Sequence, residues 1–134
     1  MIVGYAEEAN AITTFLGQNL NAIDYPLVID NEEIIGVNEL DLWLKASVQP
    51  FDAKNLGLST TQYRYYGMLY IQIFTKPNIG SGRCREVADV LTSLLRDVTI
   101  ANSIKFKVPQ FILIGVNDSW YQSNFSVEYY REEA

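Results

Sequence analysis

Apolar positions along the chain change period several times, and each change marks an element. Tyr5, Ala9, Ile12, Leu16 and Leu20 recur at spacings of four and three, which lines them along one stripe of a helix over about residues 5–20. Glu7 and Glu8 fall in its first turn, where negative charge complements the helix dipole, and Asn19 and Asn21 suit left-handed geometry near its end. Pro26 forces Tyr25 out of helical geometry, and Leu27 to Ile29 form a short apolar run stopped by Asp30 and Asn31, the pattern of an edge strand. From Leu42 the period is two: Leu42, Leu44, Ala46 and Val48 alternate with Trp43, Lys45, Ser47 and Gln49, and Pro50 is expected to end the strand. Residues 51–62, with Asp, Asn, Gly, Ser and Thr and no period, predict a loop that is long for a hairpin and of the kind that carries function.

Arg64 to Thr75 is the longest strand signal, with Tyr65, Leu69, Ile71 and Ile73 opposed to Tyr66, Met68, Tyr70, Gln72 and Phe74. Both faces are bulky, and only two helices exist to cover them. Either this is a central strand sandwiched by helices, or one aromatic face stays open as a contact surface. Gly80-Ser81-Gly82 opens a second helix with a stripe of Cys84, Val87, Ala88, Leu91, Leu94, Leu95 and Val98. These glycines lack the lysine and hydroxyl of a phosphate loop and the third glycine of a dinucleotide fingerprint, so they predict a turn and helix start. Ile104 to Val108 and Phe111 to Val116 predict a short strand pair around Pro109, and Asn117-Asp118-Ser119 a turn into a last strand, Trp120 to Tyr130. The charged tail 131–134 is expected to fray. The pattern predicts one α+β domain over residues 1–134, a mostly antiparallel sheet of about four to five strands with two helices packed on one face.

Composition narrows the function classes. Nine of the 134 residues are tyrosine, a side chain favoured both in strands and at surfaces that are wet in one state and buried in another. A net charge of −6 opposes binding to a nucleic-acid backbone, and Arg83, Arg85 and Arg96 share their helix with Glu86, Asp89 and Asp97. The chain has no histidine, which removes the commonest general base and metal ligand and every Ser/His or Cys/His dyad, so no enzyme is expected. Cys84 is the single cysteine and falls on the apolar stripe of the second helix, the place of a small core residue. Asp30, Glu32, Glu33, Glu39 and Asp41 match no EF-hand spacing and predict a solvated acidic connector, so neither metal nor other cofactor is expected. No stretch approaches the length of an apolar bilayer span and no secretory pattern opens the chain, which points to a cytoplasmic product.

With these elements placed, the chain resembles the tail terminator proteins of long, non-contractile-tailed phages, the lambda-like family. The resemblance runs over nearly the whole chain. It is carried by Pro26 and Asn31 after the first helix, by Trp43-Leu44-Lys45, by a polar loop with Gly57, and by the run from Arg64 through Phe74. It continues through Gly80-Ser81-Gly82, Val87-Ala88-Asp89, Gly115, Asp118, Trp120-Tyr121-Gln122 and Asn124-Phe125-Ser126-Val127. The resemblance implies a structural virion protein: a ring, as a hexamer, that caps the head-proximal end of the tail tube, stops its polymerisation and presents a surface for head attachment. The implied partners are other copies of the chain, the tail tube protein and a head-completion or neck protein, with DNA only as cargo passing through the lumen and no membrane. It implies residence in the virion tail, and in the host cytoplasm during assembly. Subunit and tube contacts are expected at Asp52, Lys54, Asn55 and Gln62 in the polar loop, at Arg64, Tyr66 and Tyr70, and at Asn117, Asp118 and Trp120, because long polar loops and exposed aromatics are where assembly surfaces lie. Another neck component, such as a head-tail joining or tail completion protein, and a small carboxylate-using ligand-binding domain are the alternatives.

Overall fold

The computed structural model describes residues 2–29, 36, 40–57, 62–117 and 119–133. The expected connector acids Asp30, Glu32, Glu33 and Glu39 lie outside them. In chain order the elements are α1 (Gly4–Asn21), β1 (Leu27–Ile29), β2 (Leu42–Asn55), β3 (Tyr63–Thr75), α2 (Gly82–Leu95), β4 (Thr99–Ile100), β5 (Ile104–Phe106), β6 (Gln110–Asn117) and β7 (Trp120–Glu133). They build an α+β fold on a seven-stranded sheet of order β1-β2-β3-β7-β5-β4, with β6 on β7. The expectation of four to five strands was too small, and the sheet is mixed, because β1 pairs parallel to β2 (Leu27 with Leu44) while every other pair is antiparallel.

One face of the sheet makes the core. Leu44 and Ala46 of β2, Leu69, Ile71 and Ile73 of β3, and Phe125, Val127 and Tyr129 of β7 share that side. Ile12, Leu16 and Leu20 of α1 and Cys84, Val87, Leu91 and Leu95 of α2 pack on them, so both helices lie on the same face. Full burial of each such aliphatic side chain contributes about 1.5–3 kcal/mol. At the head of the α1 stripe stands Glu8, 1 % exposed, in the place expected for Tyr5, which is 51 % exposed.

Three boundaries differ from expectation, each for a physical reason. Pro50 does not end β2. Proline is tolerated on an edge strand where its missing N–H faces no partner, and a bulge between Pro50 and Asp52 carries the pairing on to Asn55 opposite Tyr63. Residues 51–55, expected in a loop, are therefore the outer strand of a hairpin arm, and residues 58–61 of that expected loop lie outside the described residues. β5 and β6 do not pair with each other; they lie in succession along the same edge of β7, against Tyr129–Tyr130 and against residues 120–126, with Pro109 between them. Finally, residues 131–133 are not frayed: β7 continues to Glu133 opposite Tyr63, and Arg131 is 1 % exposed. The short β4–β5 hairpin, with Ile100 paired to Ile104, turns through Ala101 and Asn102, both at positive φ, and Ser103 N–H closes it by donating to Ile100 O at 3.0 Å.

Candidate subunit interface

Among the described residues, no helix lies on the other face of the sheet. Its side chains come from the alternate positions of β2, β3 and β7, and the register arranges them in rows. At one end Trp43 stacks on Phe74 with ring centroids 4.1 Å apart and meets Trp120 edge-on at 6.1 Å, while Lys76 Nζ lies 4.9 Å from the Trp120 ring. In the middle, Lys45, Gln72 and Asn124 form one row and Ser47, Tyr70 and Ser126 the next. Around Tyr70, 39 % exposed, these rows border a shallow depression of about 340 Å³. At the far end, about 30 Å along the strands, Asp52, Tyr66 and Tyr130 form a row, followed by Lys54, Arg64 and Glu132.

That far end is the base of the β2–β3 arm, and charge and ring faces hold it together. Arg64 pairs with Glu132 and lies 4.8 Å from the Tyr130 ring centroid; Lys107 pairs with Glu128 at 3.3 Å and approaches Tyr66 at 5.8 Å. Lys54 sits 3.7 Å from Asp52 and 5.5 Å from the Tyr66 ring. The bond to Glu132, followed by that to Tyr66, raises the Arg64 pKa above its ordinary value. These exposed pairs stabilise little individually. Together they order long side chains around two tyrosines.

On the opposite face, behind the arm, a buried polar cluster ties β7 to α1, and its Arg131 lies 4.4 Å from the Tyr65 ring of β3. Arg131 Nε donates to Glu8 Oε1 at 2.7 Å and the Tyr129 hydroxyl donates to Glu8 Oε2 at 2.7 Å. Arg131 Nη1 reaches Glu133 Oε1 at 2.5 Å, which also accepts from Gly4 N–H at 2.6 Å. Burial, and then the Glu8 carboxylate, push the Tyr129 phenol far above its usual range, while the Gly4 N–H, with help from Arg131 and against burial, holds the Glu133 carboxyl below its own. Burial opposes the charge on Arg131, and its bonds to Glu8 and Glu133 outweigh it and raise the pKa. Gly67 is required here, since a Cβ on it would lie 2.2 Å from the Tyr129 hydroxyl oxygen.

The sequence-derived contact residues therefore fall into separate groups. Asp52, Lys54, Arg64 and Tyr66 converge at the arm base, and Asn55 and Gln62 stand at its tip, where Asn55 Oδ1 accepts from Gly57 N–H and Leu56 N–H donates to Gln62 O, both at 3.0 Å. Tyr70 stands alone in the middle. Asn117 and Trp120 face each other across the β6–β7 turn at the opposite end, where Trp120 is only 7 % exposed, and Asp118 lies outside the described residues. Reasoning from sequence placed a strand over Phe111 to Val116 but missed that β6 lies at an exposed edge. Ile112 (57 %), Leu113 (40 %), Ile114 (50 %) and Val116 (65 %) are exposed on an edge strand that, among the described residues, pairs on one side only. The available signal was a run with no charged residue between Lys107 and Asp118 that failed to alternate.

Among the described residues, no group of three or more His, Cys, Asp or Glu could hold a metal ion, and no helix is long and apolar enough to cross a membrane. No family model and no curated protein matches the chain. A solved structure whose name states no activity is similar over 98 % of this chain and 98 % of its own, with a TM-score of 0.74 at 15 % identity. That likeness supports the fold.

Proposed function

We propose that the protein is a structural component of a phage tail: a ring, of six copies as the resemblance implies, that closes the head-proximal end of the tail tube, stops its polymerisation and receives the head. The observation that carries this reading is the helix-free sheet face, which presents half-exposed tyrosines and an ordered cation–aromatic arm without a helix to cover them. Such a surface suits protein contact, where aromatic and arginine side chains dominate binding energy. No catalytic step is assigned. The ring's partners are further copies of the chain, the tail tube protein and a head-completion protein, and DNA crosses the lumen as cargo. The net charge of −6 suits a channel along which DNA slides without sticking; a basic lumen in the assembled ring would contradict that point.

Two measurements test the reading together. Native mass spectrometry over a concentration series is expected to show a discrete ring, and phage particles lacking the gene are expected to carry tails of abnormal length. Tails of normal length that fail only to join heads would place the protein among the other neck components instead.

A further inference from the structure

Free strand edges are templates for pairing, and folded proteins blunt them with short strands, prolines, bulges and charges. Most edges of this sheet are treated that way. β1 has three residues and β4 two. β2, free of β1 beyond Ala46, carries Pro50, a bulge at Phe51, and then Asp52 and Lys54. β6 differs: eight residues, Gln110–Asn117, with no proline and no charge, one side on β7 and the other, among the described residues, open, and only a bulge between Leu113 and Gly115 to interrupt it. A short apolar segment of this kind, left open on an edge, is an aggregation hazard unless something pairs with it.

What pairs with it is indicated by where the remaining exposed apolar side chains lie. On the arm, Phe51 is 57 %, Leu56 40 % and Tyr63 40 % exposed. Strand order places the arm and β6 on opposite edges of one sheet. Two different sticky edges on opposite sides join head to tail, and a heterologous contact of that kind closes into a ring when each added copy turns by a fixed angle, as a twisted sheet imposes. β6 brings no charge to the contact, and Asp52 and Lys54 on the arm balance each other, so copies of an acidic chain meet there without repulsion.

We propose that β6 of one copy adds to the outer edge of the β2 arm of the next, beyond the bulge at Phe51, so that the sheet runs from subunit to subunit. This deepens the ring reading and rests on it. Variants with one added cysteine, on β6 (Ile112→Cys, Ile114→Cys) or on the arm (Phe51→Cys, Ala53→Cys), are mixed and treated with a short bismaleimide crosslinker; Cys84 is buried and silent. Covalent dimers are expected from mixtures of a β6 variant with an arm variant and from neither alone. Dimers from a β6 variant by itself would mean a two-fold pair and would overturn the proposal, as would an absence of crosslinks in every mixture. Ile114→Lys serves as the second arm of the test: it is expected to keep the thermal midpoint of the single chain and to raise the midpoint concentration for ring formation by about tenfold or more. Assembly equal to the parent's would sink the edge contact. Rings that crosslink head to tail yet leave tail length unregulated would reject the tail assignment while supporting this contact.

Discussion

The two faces of the central sheet are built from the same three strands at alternate positions, and they differ in what finishes them. On the helix side Leu69, Ile71 and Ile73 are fully covered, and even the charges are paired, Glu8 with Arg131 and Tyr129. On the open side Tyr66, Tyr70 and Tyr130 alternate with lysine, arginine, glutamine and asparagine, with a cation–aromatic network at the arm base and an aromatic cluster of Trp43, Phe74 and Trp120 at the other end. The comparison separates residues that hold the single chain together from residues that, on the proposed reading, meet a partner. A substitution on the first face should cost folding; one on the second should cost assembly.

The largest expected break is Glu8→Ala. It leaves the Arg131 guanidinium buried without its main partner, a class of change that costs about 3–5 kcal/mol, and a urea or thermal unfolding curve would read it. Gly67→Ala comes next, at about 1–3 kcal/mol, because the new methyl group displaces the Tyr129 hydroxyl from Glu8. On the other face Tyr70→Lys is expected to stay within about 0.5 kcal/mol of the parent in unfolding, while ring formation in native mass spectrometry falls sharply. Equal losses of stability from Tyr70→Lys and Gly67→Ala would erase the distinction between the faces. The smallest effect is a pH dependence. Glu133 has a carboxyl pKa below its ordinary value of 4.5, so the stability it contributes is complete above that value and is lost as pH falls through the lowered one. Glu133→Gln should flatten that acid limb of the stability profile, and an unchanged limb would contradict the assignment.

Much of the fold was legible where local pattern decides. The helix stripes at Ile12, Leu16 and Leu20 and at Cys84, Val87, Leu91 and Leu95 fix period and buried face without reference to anything distant. What escaped was set by contacts far apart in sequence. Arg131 lies in a charged run that suggests a frayed tail, and it is buried because Glu8, 123 residues away, meets it across the core. Pro50 signals a strand end, yet it occupies an edge, where its missing N–H costs no ladder bond. The run around Ile112 and Ile114 has the composition of a buried strand, and only the strand order, with β7 taken on its other side by β3, leaves it at the rim. In the candidate interface, the residues of the arm base are expected as contacts from a polar run and neighbouring aromatics, but their convergence on Tyr66 and Tyr130 depends on the register of three strands.

The central claim is that this chain stops a growing tail tube, and the most direct measurement is tube length. Polymerising tail tube protein from the same phage, mixed with increasing amounts of the purified protein and imaged by electron microscopy, should give tubes that shorten with dose and carry a ring at one end. Tubes of unchanged length with no ring at either end, at concentrations where the protein is folded, would contradict the account.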